Sequence, residues 1–410
     1  MSKGMRMRIF TVCTGFILLL LGIARIGAAE EAKSSCLTSD GAVIRMSDTA
    51  FMRINYQSQF VGAWRDTGSG RDGTKPTTDF YFRRNRLTLS GQATNELSYA
   101  IKLDHSGPRR VGAVDVAQEP VSEFEVLEAH VDAELGKDFH VTVGKTKIPF
   151  TREVLEGCFN PLTLDRSLFI ATPMQRTRDM GVVLWGNAIQ SKVKYMAAIQ
   201  EGQETSNAPE SSPRYTGRVH LALLDPESVF GYSGTYLGNK MVFTIGGAAQ
   251  YEAGAVYGDV NNMAGEKDYK SWTADIFIEY PVGLAGSATL SAAYMETNFD
   301  KAYQGSDPDP GSVGVDGEKK GWYAKAGFLF IDKIGPGQIQ PFLRYEDWNF
   351  AQLNGVFAQR IKWTGGGVNY LINGQNLRLT LEYAQTDFKD EENSDSQDFT
   401  TITSMLQFSF

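Results

Sequence analysis

The sequence predicts an all-β protein, a transmembrane antiparallel β-barrel of about sixteen strands with one long loop folded into its pore. Three observations favour this class. Apolar and polar residues alternate along most of the chain, short turns alternate with long polar connections, and a secretory leader precedes both. A strand with period-two alternation has one apolar side and one polar side. In a membrane barrel these sides contact hydrocarbon and a water-filled pore.

The last strand shows the alternation most clearly. Residues 399–410 read FTTITSMLQFSF, and Ile402, Leu406, Phe408 and Phe410 share one side of the strand. The opposite side holds mostly threonine, serine and glutamine. A soluble sandwich also buries such strands, but the same pattern recurs along a chain with a secretory leader, which favours the membrane barrel.

The chain begins with a leader typical of secreted proteins. Lys3, Arg6 and Arg8 precede the apolar run 9–23, and small residues lead up to Ala29. This order of basic, apolar and small residues predicts a signal peptide. The alternative is an N-terminal membrane anchor, but the run is shorter than the ~20 residues that a spanning helix needs. The chain therefore divides into a signal peptide at residues 1–29, a periplasmic segment at 30–49 and the barrel at 50–410.

Composition narrows the class further. No later segment approaches the ~18 consecutive apolar residues of a transmembrane helix, which excludes a helical membrane protein. The mean hydropathy of −0.26 also fits a barrel, because half of each strand faces water. Cys36 and Cys158 remain after removal of the leader. Two thiols do not make a disulfide framework, and both a single bridge and two free thiols stay open.

The strands follow one another in a regular order. In the second, residues 79–92, Leu87 and Leu89 lie on the side opposite Arg86. Arg83 breaks this parity, which predicts a β-bulge or an aqueous lip beside it. Other clear alternations lie at residues 99–104, 127–133, 139–143, 192–199, 218–223, 243–251, 272–280 and 377–383.

The connections supply an independent test of the barrel. Short turns on one rim and long loops on the other are typical of outer-membrane barrels. The predicted short turns lie near Thr94, Gly136, Ile189, Pro281, Ile334 and Asn373. The predicted long loops span residues 67–78, 106–122, 147–177, 202–213, 298–319, 347–359 and 389–395. Residues 225–239 are the exception, because they are too long for the short-turn rim on which they fall.

Two stretches are more specific than the alternation. One is FYFRRNRLTLSGQATNELSYAIKLD, residues 80–104, a basic strand, a turn and a returning strand that ends on an aspartate. The other is VTVGKTKIPFTRE, residues 141–153, a strand that ends in glycine and basic residues just before the longest loop. Together they resemble the phosphate-selective porin O and P family of Gram-negative outer membranes. The resemblance implies a homotrimer of barrels in the outer membrane, with dense arginine and lysine arrays in the pores of the phosphate members.

Cations with inward parity or in the long loop are the candidate pore residues. They are Arg84, Arg86, Lys102, Lys145, Lys147, Arg152, Lys192, Lys194, Arg218 and Arg344. Acidic residues with inward parity lie among them, so this pore departs from the purely basic array of the phosphate members. If the long loop folds inward, its cations and those of the second strand are expected to face each other at the narrowest point. Guanidinium groups there replace part of an anion's hydration shell. The alternative is that these charges are solvated and select nothing.

Pattern and resemblance together predict a passive outer-membrane channel for small hydrophilic solutes, with a preference for anions or phosphate as a narrower hypothesis. Outer-membrane lipid and lipopolysaccharide are the expected surroundings. No nucleic-acid partner is expected, because the basic cluster at Arg83, Arg84 and Arg86 better fits an ion path or a lipopolysaccharide phosphate. No metal or cofactor is expected, since the four histidines lack metal-site spacing and the chain has no CxxCH motif.

Two other functions stay open from the sequence alone. An outer-membrane barrel enzyme of phospholipase or protease type needs a histidine and a nucleophile near the rim, and His105 beside Ser106 is the candidate pair. A loop-driven receptor or adhesin with a plugged lumen is the other, although no N-terminal plug domain is recognisable in the sequence.

Overall fold

The structure, a computed structural model, describes most of the chain. The described residues are 41–105, 124–136, 138–167, 177–202, 209–259, 262–298, 318–353, 356–391 and 397–410. They form eighteen strands and one short helix. The strands are β1 (Ala42–Arg45), β2 (Phe51–Ser69), β3 (Lys75–Gln92), β4 (Leu97–Asp104), β5 (Glu125–Glu134), β6 (Phe139–Lys147), β7 (Arg178–Ala188), β8 (Val193–Gln200), β9 (Arg214–Ala222), β10 (Val242–Asp259), β11 (Ala264–Val282), β12 (Gly286–Asn298), β13 (Glu318–Phe330), β14 (Lys333–Ile334), β15 (Gly337–Leu353), β16 (Val356–Asn373), β17 (Leu377–Phe388) and β18 (Phe399–Ser409), and the helix is α1 (Arg152–Leu155). Within these ranges, no helix is long and apolar enough to cross a membrane.

Some predictions fall on other parts of the chain. The predicted signal peptide, Cys36 and the predicted loop at 106–122 lie outside the described residues. Within them, Cys158 is a buried free thiol.

Sixteen of the strands close into one antiparallel barrel. Each strand from β2 to β13 pairs with the next, β13 pairs with β15, and β15 to β18 continue around the wall. The circle closes where β18 pairs with β2, from Thr401 opposite Arg65 to Ser409 opposite Gln57. The predicted fold class and strand number are confirmed. The two short strands are additions to the barrel, since β1 pairs with the first residues of β2 and β14 forms a small hairpin with β15.

The alternation of the sequence becomes the two surfaces of the barrel wall. In β9 every second residue is buried, and the intervening Tyr215, Val219 and Leu221 are 49%, 52% and 46% exposed. Large apolar side chains exposed along a whole wall indicate contact with lipid rather than water. The other side of the same strand directs Arg214 and Arg218 into the barrel, where both are buried.

The C-terminal residue is part of the closing seam. Phe410 donates its N–H to the Tyr56 carbonyl at 3.0 Å and accepts a hydrogen bond from the Tyr56 N–H at 2.9 Å. The Tyr56 ring packs against Phe408 and Phe410, with centroid distances of 5.7 and 5.6 Å. Aromatic pairs at such distances add about 0.5–1.5 kcal/mol beyond the burial of their area. The terminal aromatic residue therefore stabilises the closure of the sheet.

The bulge predicted at Arg83 is present. β2 and β3 change register between Gln59, which pairs with Arg84, and Phe60, which pairs with Phe82. Arg83 is the extra residue, and both its guanidinium and that of Arg84 bind the same carboxylate inside the barrel. A bulge of this kind lets one strand direct two consecutive side chains toward the lumen.

Two predicted loops are wrong. Residues 347–359 belong almost entirely to β15 and β16, and most of 67–78 belongs to β2 and β3. These four strands hold 17, 18, 19 and 18 residues, whereas about 9–11 residues cross a bilayer. Their ends therefore continue as paired strands in water. Polar residues and glycines are frequent there, so the sequence resembles that of a loop, although Trp348 and Phe350 are buried.

Candidate functional site

After β6 the chain turns into the barrel. Residues 148–167 lie inside it, and we call them the inward loop. The loop opens with α1, which Thr151 caps by accepting a hydrogen bond from the Val154 N–H at 3.1 Å. All four residues of α1 are buried, and Ile148 and Phe150 before it are fully buried as well. The prediction that the long loop folds into the pore is confirmed for residues 148–167, and residues 168–176 of it lie outside the described residues.

Side chains of the wall hold the backbone of the inward loop at successive points. Along residues 158–165, donors to its carbonyl groups include Gln59 to Cys158 (3.2 Å), Gln407 to Phe159 (2.8 Å), Arg378 to Pro161 (2.9 Å), Asn369 to Leu162 (2.8 Å) and Arg344 to Asp165 (3.0 Å). The donors come from β2, β18, β17, β16 and β15, which are neighbours around the barrel. The loop thus follows the inner wall across five adjacent strands and narrows the lumen along that path.

A second segment enters the barrel from the rim of short turns. Residues 223–241 connect β9 to β10, and we call them the short-rim insertion. Tyr232 of the insertion accepts a hydrogen bond from the Gly157 N–H at 3.1 Å and donates its own N–H to the Leu155 carbonyl at 3.3 Å. The connection at residues 225–239, which is long for the short-turn rim, is therefore a true connection between two strands. Its length is explained by this contact with the inward loop.

The two segments also approach closely at a glycine. The Gly234 N–H donates to the Asn160 carbonyl at 3.0 Å. A Cβ atom at position 234 would lie 2.9 Å from the Asn160 oxygen and from the Pro161 Cα, which is closer than a side chain tolerates. Glycine at this position therefore permits the insertion to lie against the loop.

Arg152 of α1 forms the central ion pair of this junction. It is fully buried, and its guanidinium binds both carboxylate oxygens of Glu227 in the insertion at 2.7 and 2.8 Å. The ring centroids of Phe277 and Tyr232 lie 3.9 and 4.7 Å from the guanidinium carbon. Burial acts to raise the pKa of Glu227, but the Arg152 charge and hydrogen bonds from Arg152 and Tyr236 lower it to about 2. Arg152, predicted to line the pore, thus joins the two inserted segments.

The inward loop and β3 meet at Asp165. Arg83 donates to its Oδ2 at 2.8 Å and Arg84 to its Oδ1 at 2.9 Å. Burial acts to raise the pKa of Asp165, but the charges of Arg83 and Arg84 hold it well below its usual range. The sequence predicted that cations of the loop face cations of the second strand. The structure instead places a loop carboxylate against the strand arginines, because like charges in an enclosed lumen need a counter-charge.

Four other predicted pore residues pair with carboxylates of the wall. The pairs are Arg86 with Asp104 (2.8 Å), Lys102 with Glu128 (2.8 Å), Arg218 with Asp275 (2.7 Å) and Arg344 with Glu346. Three of these acids, Asp104, Glu128 and Asp275, have the inward parity that the sequence indicated. Each pair largely cancels its own charge, so these cations add little net potential to the lumen.

The other inward lysines bind backbone carbonyls instead of acids. We call Lys147, Lys192, Lys194 and Lys240 the short-side lysines. Their acceptors are the carbonyls of Leu155 and Glu156 for Lys147 (3.0 and 2.6 Å), Leu224 for Lys192, Val229 for Lys194 (2.5 Å) and Pro226 for Lys240 (3.2 Å). Among the described residues, no carboxylate lies within 4 Å of these ammonium groups. These lysines outnumber the Glu279 carboxylate, which also binds the short-rim insertion through the N–H groups of Tyr236 and Gly238.

Lys145 lies on the other side of the wall. It pairs in register with Met180, whose side chain is 44% exposed, and its neighbour Thr146 is buried. The Lys145 ammonium donates to the Val126 carbonyl at 2.9 Å. The prediction that Lys145 lines the pore is therefore wrong. Lys145 and Lys147 share one parity, and the turn of the chain at the end of β6 brings only Lys147 inside.

Sequence reasoning missed Glu227 and Tyr232, although both form the junction with the inward loop. They lie in a connection, where the parity of strands does not apply. The one signal in the sequence was the excess length of that connection on a rim of short turns.

Comparison with known proteins agrees with this geometry. A family model described as phosphate-selective porin O and P matches residues 55–410. The chain belongs to this family. A relative of this porin, an uncharacterized protein of Aquifex aeolicus (strain VF5), is 23% identical over 362 residues, which cover 82% of each chain. Among solved structures, the outer membrane channel DcaP of Acinetobacter baumannii is similar with a TM-score of 0.57 and 14% identity, over 90% of this chain and 100% of that one. The anion-selective porin from Comamonas acidovorans has a TM-score of 0.54 and 11% identity, over 88% and 100%.

This porin is therefore an outer-membrane diffusion channel, in agreement with its closed barrel and inward loop. The family assignment favours a channel over the barrel enzyme that the sequence left open. Ser106, one half of that candidate pair, lies outside the described residues.

A glycine of the wall makes room for the Arg218–Asp275 pair. The two residues lie on β9 and β11, and the pair spans β10 at Gly246, where a Cβ would lie 2.5 Å from the Arg218 Nη2 and 2.7 Å from the Asp275 Oδ1. We expect Gly246→Val to separate the pair and to lower the free energy of unfolding by about 3–5 kcal/mol. Urea-induced unfolding in lipid vesicles measures this change. Gly217→Val is the control, because a Cβ there meets no atom within 4 Å, and equal losses in both variants would contradict the role of the pair.

Proposed function

We propose that this porin passes small anions in preference to cations. The observation that supports the proposal is the group of short-side lysines, which donate to neutral backbone carbonyls and, among the described residues, have no carboxylate within 4 Å. Most arginines of the lumen are bound to carboxylates, so the lysines set the sign of the potential near the insertion. A field of one sign in a narrow, low-dielectric passage concentrates ions of the opposite charge. The similar porin from Comamonas acidovorans is described as anion-selective, in line with this proposal.

The proposed preference is for small anions as a class rather than for phosphate. Bidentate recognition of phosphate uses guanidinium groups whose N–H donors are free. Arg84, Arg86, Arg218 and Arg344 already bind carboxylates. Weak attraction by lysines, with acids nearby, allows both entry and release.

We also propose the surroundings that the family resemblance implies. The leader is removed at residue 29, the barrels assemble as homotrimers, and lipopolysaccharide surrounds the rim of long loops. Mass spectrometry of the mature N-terminus and native mass spectrometry in detergent test the first two proposals. A retained leader or a purely monomeric species contradicts them.

Planar-bilayer recording tests the anion preference. Purified porin is expected to open in discrete current steps. In a tenfold KCl gradient, the sign of the reversal potential should be that of a chloride-selective channel, and its size should stay below the ~59 mV limit for perfect selectivity. Lys194→Met should move this potential toward zero, because it removes an uncancelled inward charge. Lys145→Met removes an equal charge from the outer wall and should leave it unchanged. A reversal potential with the cation sign contradicts the preference, and the absence of steps contradicts the channel.

A further inference from the structure

A cavity of about 320 Å³ lies between the short-rim insertion and the inward loop. The residues that define its chemistry are Lys147, Leu155, Val229, Tyr232, Tyr236 and Lys240. Its volume falls at the lower end of the range for small-molecule sites, about 300–1,000 Å³. Its walls come from two segments that fold into the barrel from opposite rims, so the cavity exists only because they meet.

One part of the cavity is cationic. An ammonium group has three N–H donors. Lys147 uses two of them for the carbonyls of Leu155 and Glu156, and Lys240 uses one for Pro226, which leaves one and two donors respectively. Glu227 also lines the cavity, but Arg152 neutralises its charge. The net charge available to a ligand is therefore positive.

The rest of the cavity offers apolar surface. Val229, which is 69% exposed, is its accessible aliphatic side chain, whereas Leu155 beside it is fully buried. The hydroxyl of Tyr236 donates to Glu227, and that of Tyr232 accepts a hydrogen bond from Arg218 at 3.4 Å. Since both hydroxyls are engaged with protein groups, a ligand meets the tyrosine rings rather than their polar ends.

We propose that this cavity binds small organic acids that combine one carboxylate with an apolar or aromatic body. The carboxylate accepts the remaining donors of Lys147 and Lys240, and the body packs against Val229 and the ring of Tyr236. The inference rests on the proposed anion channel and names a class of solute for it. Inorganic phosphate and acetate find the same cations, but neither buries comparable apolar surface. Burial of one aromatic ring is worth roughly a tenfold gain in affinity or more.

Ligand-observed saturation-transfer NMR of the purified porin in detergent tests the site without requiring conduction. Benzoate, acetate and inorganic phosphate serve as probes. Benzoate is expected to bind about tenfold more tightly than acetate, and an excess of phosphate should displace it only weakly. Lys240→Met should weaken benzoate and acetate alike, whereas Val229→Ser should weaken benzoate alone. Lys145→Met, on the outer wall, should change neither.

Single-channel recording gives the matching functional readout. Benzoate added from the side of the short turns should interrupt the chloride current at about one tenth of the acetate concentration that has the same effect. Equal binding of benzoate and acetate, or benzoate binding unaffected by Lys240→Met, would overturn the site. If benzoate binds as expected but no current steps occur, the channel proposal fails and the binding site stands.

Discussion

Replacing Arg152 with alanine is expected to release the short-rim insertion from the inward loop and to raise the single-channel conductance. The substitution leaves Glu227 buried at the junction without its counter-charge. Removal of one partner from a buried ion pair typically costs about 3–5 kcal/mol. Each backbone hydrogen bond across the junction contributes only about 0.5–1.5 kcal/mol. The carboxylate therefore reaches water by withdrawing the insertion, which leaves the lumen wider.

Hydrogen exchange measures this release directly. The amides of Tyr232 and Gly234 donate across the junction in the wild-type porin. In Arg152→Ala they are expected to exchange faster by about two to four orders of magnitude, which corresponds to the lost 3–5 kcal/mol. The double variant Arg152→Met with Glu227→Gln is the matched control, because replacing both charges leaves no buried ion unpaired. Unchanged exchange and unchanged conductance in Arg152→Ala would show that the backbone contacts alone hold the insertion.

The pH dependence of the junction has a definite sign. The pKa of Glu227 is lowered to about 2, from a usual value of about 4.3 in an unfolded chain. A carboxylate with a lowered pKa contributes its full stability above the unfolded value and loses it as the pH falls through the folded value. The insertion of the wild-type porin is therefore expected to stay at the junction at pH 5. It should be released, with a rise in single-channel conductance, only as the pH approaches about 2.

The sequence predicts the barrel well because lipid and water impose opposite demands on neighbouring residues of every strand. The rule also predicts local features. Arg83 breaks the alternation, and it is the extra residue of the bulge in β3, opposite Gln59 and Phe60. The same rule fails where a strand leaves the bilayer. Residues 347–359 mix aspartate, asparagine, glutamine and glycine with apolar residues, so the stretch resembles a loop, although Trp348 and Phe350 are buried in the structure.

The interior of the lumen was less predictable, because its key contacts join segments far apart in the chain. Arg152 and Glu227 are 75 positions apart, and Arg84 and Asp165 are 81 positions apart. The alternation of a strand predicts which side chains point into the barrel, but it does not predict which charged group each of them contacts. Lys147 and Lys145 share one parity, and their different placement depends on the turn of the chain into the barrel.

Replacing Asp165 with asparagine is expected to give the largest change in ion selectivity. In the wild-type porin this one carboxylate binds both Arg83 and Arg84, and the local charge of the three groups is +1. The variant raises that charge to +2 at a place where the inward loop narrows the lumen. Buried Arg84 and partly buried Arg83 then lack their counter-ion, which destabilises the protein by about 3–5 kcal/mol and makes anions the natural replacement for the lost carboxylate. The preference for anions should therefore increase.

The reversal potential in a KCl gradient measures this change. It should move toward the ~59 mV anion limit in Asp165→Asn, and the shift should shrink at high salt as screening increases. Asp72→Asn removes the same charge from an exposed turn and should have no effect on selectivity. Because the pKa of Asp165 is well below its usual range, acidification should bring the wild-type porin to the selectivity of the variant only below about pH 3.9. Equal selectivity of Asp165→Asn and the wild-type porin at neutral pH would show that ions do not pass close to the arginines of β3.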